Sequence, residues 1–250
     1  MIRAAFLLIA LGLAALAQDP PYLTESGWKP LLNGTDLKGW HAVDATKPHE
    51  WAAARGIRFD RMYSPKALSF TGDSGDRMIN GKGGRTQNFV TDEKFGDIEL
   101  YLEFMIPRGA NSGVYLHGLY EIQILDSYGI ADLTTGDCGA VYHEWVNGKP
   151  KGGAVPKVNV ERNAGEWQAY RIWFRAPRFD ASGKKVENAR FVRVMFNGVM
   201  IHDNVEVPNP TRAHMNIPEA AMNPLMLQGD HGPVAFRNIY WRPLGELPER

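Results

Sequence analysis

The stretch Tyr120–Ser127, YEIQILDS, sets an acid and an amide, Glu121 and Gln123, at alternate positions among apolar residues. Successive side chains of a strand point to opposite faces, so Glu121 and Gln123 share a face that Ile122 and Ile124 do not. A carboxylate there can take up a proton or hold a cation, and an amide can orient a hydroxyl. Just upstream, NSGVYLHG (111–118) alternates in the same way, Val114 and Leu116 against Tyr115 and His117. A three-residue connection, Gly118-Leu119-Tyr120, pairs His117 with Glu121 and Tyr115 with Gln123. One face is then Val114, Leu116, Ile122 and Ile124, a core. The other gathers Tyr115, His117, Glu121 and Gln123. Solvated strand faces favour Lys, Thr and Glu, whereas this mixture of aromatic, imidazole, acid and amide suits a polar cleft with a stacking wall.

Glu121 is the expected base or metal ligand, with His117 polarising a carbonyl oxygen or helping to bind a metal, and Gln123 orienting a hydroxyl. His143, at the end of GAVYH, and His231, in GDHG, are further candidates for acid or ligand. Lys157 and Asp126 are candidates for substrate contact, against the plainer readings of a solvated loop lysine and a turn cap. Trp145 and Trp167 suit stacking platforms, or a core. His117, His143, His231 and Glu121 would make a divalent-metal site if they converged, although their spacing forms no compact ligand motif. His41, His49, His202 and His214 carry no such expectation.

The elements that must position these groups read as all-β. Candidate strands are 97–106, 112–117, 120–125, 140–143, 168–175, 191–196, 199–202, 225–228 and 234–243, separated by Gly, Pro, Asn and Asp clusters. Asn197-Gly198 predicts a two-residue hairpin turn, because both residues tolerate positive φ. The segment 181–188 (ASGKKVEN) reads as an exposed hairpin tip, and 204–224, with four prolines, as an ordered loop over a sheet. The glycine-rich 72–84 segment lacks P-loop spacing and reads as a flexible loop. No repeat or break in composition divides the chain, which predicts one antiparallel sandwich of jelly-roll kind.

The amino terminus, MIRAAFLLIALGLAALAQDPP, has a basic Arg3, an apolar run 4–16 and an Ala15-Leu16-Ala17 cleavage pattern. It predicts a signal peptide over 1–17, export to the periplasm or medium, and no transmembrane span after cleavage. Removing 17 of 250 residues leaves 233 for a single domain, enough to bury roughly 70–75% of its unfolded surface. Cys138 is the sole cysteine, so no internal disulfide can form. Lys plus Arg and Asp plus Glu balance at 28 each, and no basic stripe points to a nucleic acid. Seven Trp, nine Tyr and 26 Gly suit a β-sandwich and also suit flat sugar rings.

Five stretches resemble the 3-keto-disaccharide hydrolase domain family, in the family's order: WKPLLNGTDLKGW (28–40), FGDIELYLE (95–103), ANSGVYLHGLYEIQILDS (110–127), GEWQAYRIWF (165–174) and LQGDHGPVAFRNIYWRPL (227–244). Together they run over nearly the whole mature chain. The resemblance implies a concanavalin-like jelly roll whose concave sheet holds a small carbohydrate. One departure is His117, where many members carry the arginine of YLRG. The resemblance also implies action on glycosides already oxidised at C3. The ketone acidifies the C2 hydrogen; a base removes it, the aglycone leaves C1, and water adds back across the glycal. That chemistry calls for a base, an enolate stabiliser and an acid for the leaving oxygen.

Two other readings compete. Laminarinase-type endo-glucanases share the sandwich and carry E-x-D-x-x-E, here Glu121-x-Gln123-x-x-Asp126; positions five apart face opposite ways unless a bulge intervenes. Retaining hydrolysis needs two carboxyl groups about 5–5.5 Å apart. A non-catalytic carbohydrate-binding module or lectin is the other, and fold alone does not separate it from an enzyme. Whether His117, Glu121, Gln123, His143 and His231 meet in one cleft discriminates between them.

Overall fold

The computed structural model describes residues 19–245. The expected signal peptide, 1–17, lies outside the described residues. Apart from one helical turn, Pro21–Thr24, the regular structure is strand, and no helix among the described residues is long and apolar enough to cross a membrane.

Two antiparallel sheets face one another. The larger runs in the order Val199–Val207, Ala189–Phe196, Gln168–Arg175, Ile98–Met105, Ala235–Pro243, Arg77–Ile79, Ala52–Ala54, with Lys29–Pro30 added on Ala235–Pro243. The smaller has five strands: Tyr120–Leu125, Asn111–Leu116, Asn223–Leu227, Phe89–Phe95 and Trp40–Ala42. The non-sequential strand order in both sheets is that of a jelly-roll sandwich, as expected. Three two-stranded hairpins decorate it. One of them pairs Arg178–Phe179 with Lys185–Glu187, so that of the predicted 181–188 tip only the first part lies in the turn and 185–187 form the second strand.

The core is dictated by alternation. Ile98, Leu100, Leu102 and Phe104 of the large sheet meet Val114, Leu116, Ile122, Ile124, Leu225 and Leu227 of the small one, all at most 1% exposed. The Asn197-Gly198 turn forms with φ of 48° and 83°, which matches the right-handed twist of the strands it joins. Cys138 is a buried free thiol, 3.3 Å from the Tyr170 hydroxyl.

Three expectations need correction. The segment 140–143 is not a strand; only Val141 bridges Ile122, while Gly139–Tyr142 follows the free edge of Tyr120–Leu125. The 72–84 segment contains the strand Arg77–Ile79, whose Met78 and Ile79 are fully buried. The hairpin closes one residue earlier than predicted. His117, Gly118 and Leu119 connect the strands, so that Leu116 pairs with Tyr120, Tyr115 with Glu121, and Gly113 with Gln123. Successive left-handed residues, His117 (φ 58°) and Gly118 (φ 65°), make the reversal, and Leu119, fully buried, joins the core. The sum of paired positions shifts by two, so each strand residue keeps its predicted face while its partner changes.

Ile122 is at the centre of this core, and truncating it leaves a void between the sheets. Ile122→Ala is expected to cost about 2–5 kcal/mol, read as a lower denaturation midpoint in urea with an unchanged slope.

Candidate functional site

The outer face of the five-stranded sheet carries most of the candidate groups. One cross-strand row is Glu121, Tyr115, Met226 and Val90. Tyr142 extends it on the free edge, donating its backbone N–H to the Glu121 carbonyl at 3.1 Å. The next row holds Gln123 and Gly113, followed by Gln228, whose N–H donates to Gly113 O at 3.0 Å. Far from being solvated, Tyr115, Glu121 and Gln123 are 1%, 1% and 2% exposed. The 208–222 loop covers this face through Met215, which packs on Val90, Tyr115 and Met226.

Glu121 occupies a well that the sheet leaves for it. A Cβ on Gly113 would fall 2.1 Å from Glu121 Oε1 and 2.8 Å from its carboxyl carbon, so the side chain lies across the glycine. The Tyr115 hydroxyl hydrogen-bonds the carboxyl and also reaches Arg212 O at 3.2 Å. Oε2 is buried without a protein partner. Burial raises the Glu121 pKa to about 8; Tyr115 opposes the rise, and the negative charge of Asp230 adds to it.

Around this carboxyl stand Tyr142, Arg212 and Asp230, which sequence reasoning missed, with the expected Trp145 beyond them. The Tyr142 hydroxyl bonds Arg212, whose charge counters the rise that burial and Glu121 impose on its pKa. The Arg212 guanidinium also lies over Trp145, 4.2 Å from the ring centroid. Trp145 is 48% exposed and forms an open wall, as a stacking platform requires. Asp230 is charge-coupled to both Glu121 and Tyr115. Tyr142 was hidden beside the histidine of GAVYH, and Arg212 lies in a proline-rich loop with no periodicity to place it.

The predicted site residues fare unequally. His143 joins the group: its ring stacks on Tyr142 at 4.2 Å, Nδ1 meets Thr135 Oγ1 at 3.1 Å, and Nε2 is buried without a partner. Burial lowers its pKa, favouring the neutral imidazole. His231 lies at the rim, Nδ1 2.5 Å from Asp230. His117 does not face Glu121. It belongs to the hairpin turn, packs on the core side against Tyr120 and Phe174, and places Nε2 3.2 Å from Gly96 O. The earlier reversal of the chain is the reason.

Gln123 shares the face, but its amide is engaged by backbone, Nε2 donating to Gly136 O at 3.2 Å and Oε1 accepting from Ile124 N at 3.1 Å. Asp126 is a loop cap, Oδ2 accepting from Gly109 N at 2.8 Å. Lys157 is exposed beside the edge strand of the other sheet, its N–H bonded to Ile201 O. Trp167 lies on the large sheet's outer side under Arg237, 4.2 Å away. His117, Glu121, His143 and His231 therefore do not form one ligand set, and among the described residues no group of three or more metal-ligating side chains converges.

A depression of about 1190 Å³ lies on the outer face of the eight-stranded sheet, lined by Glu99, Glu103, Arg171, Arg237 and Arg242. Its acids are matched by guanidinium groups, Glu99 with Arg171 and Arg242 at 2.6 Å each and Glu103 with Arg237 at 2.7 Å. The unpartnered Glu121 and His143 atoms are on the other sheet, and we place the candidate chemistry there.

Fold and site together define a carbohydrate-active β-sandwich. The chain belongs to the 3-keto-alpha-glucoside-1,2-lyase-like domain family, whose profile matches residues 27–242. A Parabacteroides distasonis protein named "putative glycosyl hydrolase" is similar at 25% identity and a TM-score of 0.62, over 88% of this chain and 84% of that one. Another protein from that organism, named in the same words, is 21% identical with a TM-score of 0.54, over 87% and 99% of the respective chains. No protein of curated function matches.

The Gly113 well has a direct test. Gly113 has no positive φ, so alanine fits its backbone and acts only by displacing the Glu121 carboxyl. In Gly113→Ala the Glu121 pKa is expected to fall from about 8 toward the ordinary carboxylate range, followed by carbon-detected NMR titration. An unchanged titration would show that the well does not hold Glu121.

Proposed function

We propose that the protein cleaves 3-keto-glycosides by proton abstraction at C2, elimination and hydration. The observation that carries this reading is the buried Glu121 carboxyl, its pKa near 8, with one oxygen unpartnered beside Tyr115 and Tyr142. A carboxylate with raised pKa is a stronger base, and a base near the working pH is the effective compromise. Family membership supports the substrate class.

In this reading ionised Glu121 takes the C2 proton and the electron pair becomes an enolate on the C3 oxygen. Arg212, held between Trp145 and the Tyr142 hydroxyl, supplies the positive charge for that oxygen, a contribution of about 10²–10³ in rate for a preorganised donor. The enolate collapses to the 1,2-ene, the C1–O bond breaks, and the aglycone oxygen takes a proton. Glu121 gives that oxygen the proton it took from C2 and is ionised again, while neutral His143, its Nε2 beside Tyr142 and free of protein partners, is placed to hydrogen-bond the aglycone. Water then adds its oxygen to C1 while ionised Glu121 takes the water's proton and passes it to C2, which restores the carboxylate, so the sum is hydrolysis. Trp145 offers the sugar or aglycone a stacking surface.

The same proposal places the enzyme outside the cytoplasm, supported by Arg3, the apolar run 4–16 and Ala15-Leu16-Ala17. Sequencing the amino terminus of protein recovered from the producing cells should return Gln18 first; retention of Met1 would overturn export by cleavage.

Glu121→Gln keeps size and hydrogen bonding but removes basicity, and turnover of a 3-keto-glucoside is expected to fall at least about 10²-fold with the fold retained. Near wild-type turnover would exclude Glu121 as the base. In the wild type the working form is the ionised carboxylate, so kcat/KM should rise with pH and level off above about 8. An ordinary glucoside, lacking the acidic C2 hydrogen, should remain intact. Equal turnover of both would transfer the mechanism to two-carboxylate hydrolysis, with Asp230 as the second acid.

A further inference from the structure

Gln228 takes no part in the steps above, yet it is placed as a ligand-reading group. It follows Leu227, a core residue, and alternation turns its side chain to the same outer face as Met226. Its main chain is fixed on both sides, N–H donating to Gly113 O at 3.0 Å and C=O accepting from Ser112 Oγ at 2.8 Å. The residue is 5% exposed, and its Oε1 is buried with no hydrogen-bond partner. Between Gln228 and Gln123 the row contains only Gly113, which has no side chain, and across that gap lies the Glu121 carboxyl.

A buried amide oxygen without a donor is unfavourable, and natural proteins seldom keep one that nothing satisfies. An amide oxygen only accepts. Whatever satisfies it must bring an O–H or N–H, and the neighbouring position in the row is Gly113, over which the Glu121 carboxyl lies.

We propose that Gln228 is a specificity-determining residue, its Oε1 accepting a hydrogen bond from a ring hydroxyl of the sugar whose C2 meets Glu121. The inference rests on the carbohydrate reading above and deepens it. A ketone oxygen has no hydrogen to give, so Gln228 reads a hydroxyl that the substrate retains and not the oxidised C3 position. It therefore selects for the remaining hydroxyl pattern, while Glu121 and Arg212 respond to the ketone.

The test uses Gln228→Met, which keeps length without the acceptor, and Gln228→Glu, which keeps an acceptor. Binding of methyl α-D-glucopyranoside and its 2-, 4- and 6-deoxy forms is measured by calorimetry, and kcat and KM with the 3-keto-glucoside. Gln228→Met is expected to weaken binding about 10-fold, with kcat within about 3-fold of wild type and a melting temperature no lower, since an unsatisfied oxygen is removed. Gln228→Glu should retain most of the affinity. One deoxy sugar should bind the wild type about 10-fold more weakly and lose nothing more in Gln228→Met. Wild-type affinity in Gln228→Met, or losses from every deoxy sugar that add to the variant's, would overturn the assignment. If the wild type leaves 3-keto-glucosides intact while glucoside binding still depends on Gln228, the elimination chemistry fails and this inference stands.

Discussion

Side chains alternate across a strand, and in the hairpin 111–125 that constraint ties the core to the chemistry. Val114, Leu116, Ile122 and Ile124 are buried between the sheets, so Tyr115, Glu121 and Gln123 must emerge on the other side. A one-residue slip of either strand would exchange the two sets. The burial of four aliphatic side chains, each worth about 1.5–3 kcal/mol on the usual scale, therefore also fixes the position of one carboxyl. Gly113 completes the arrangement by omission: the paired strand position without a side chain is where the carboxyl lies.

The alternation was legible in the sequence because it depends on residue type at period two, and so was the identity of each face. The pairing partner was less legible. A three-residue connection starting at His117 and one starting at Gly118 preserve the same faces. The choice depends on His117 accepting a left-handed backbone and on Leu119 finding room in the core. Neither is visible in a pattern. Tyr142 and Arg212 escaped notice for a different reason. The first lies on a segment with a single bridge to the sheet edge, and the second is on a loop whose docking involves contacts distant along the chain. The short strands Trp40–Ala42, Ala52–Ala54 and Arg77–Ile79 are too brief to show a period at all.

The opposite face of the molecule illustrates how differently charges can be used. There Arg171 and Arg242 each contact both Glu25 and Glu99, and both guanidinium groups lie over Trp28. Tyr22 stacks on Tyr240 with ring centroids 4.0 Å apart. This closed lattice fastens the segment 21–28 to the outer side of the eight-stranded sheet. Charges that neutralise one another in this way hold structure, whereas Glu121 keeps an oxygen free of protein partners.

The 208–222 loop is fastened at one end to the hairpin and the strand edge, through Thr211 N to Leu119 O at 2.9 Å, Met215 N to Gly118 O at 2.9 Å and Arg212 N to His143 O at 2.9 Å. Thr211 Oγ1 also accepts the Glu121 N–H, 90 positions away in sequence. The hairpin's own contacts are local, while those of the loop close a long stretch of chain, which carries a higher entropic cost. The Glu121–Tyr115 pair thus rests on local contacts of the hairpin, and the Arg212 side of the site on contacts that close a long stretch of chain. Partial opening of that loop would strip away the guanidinium while leaving both sheets and the carboxyl in place. A chain opened in this way would remain folded by every bulk measure and yet no longer hold Arg212 against Tyr142 and Trp145.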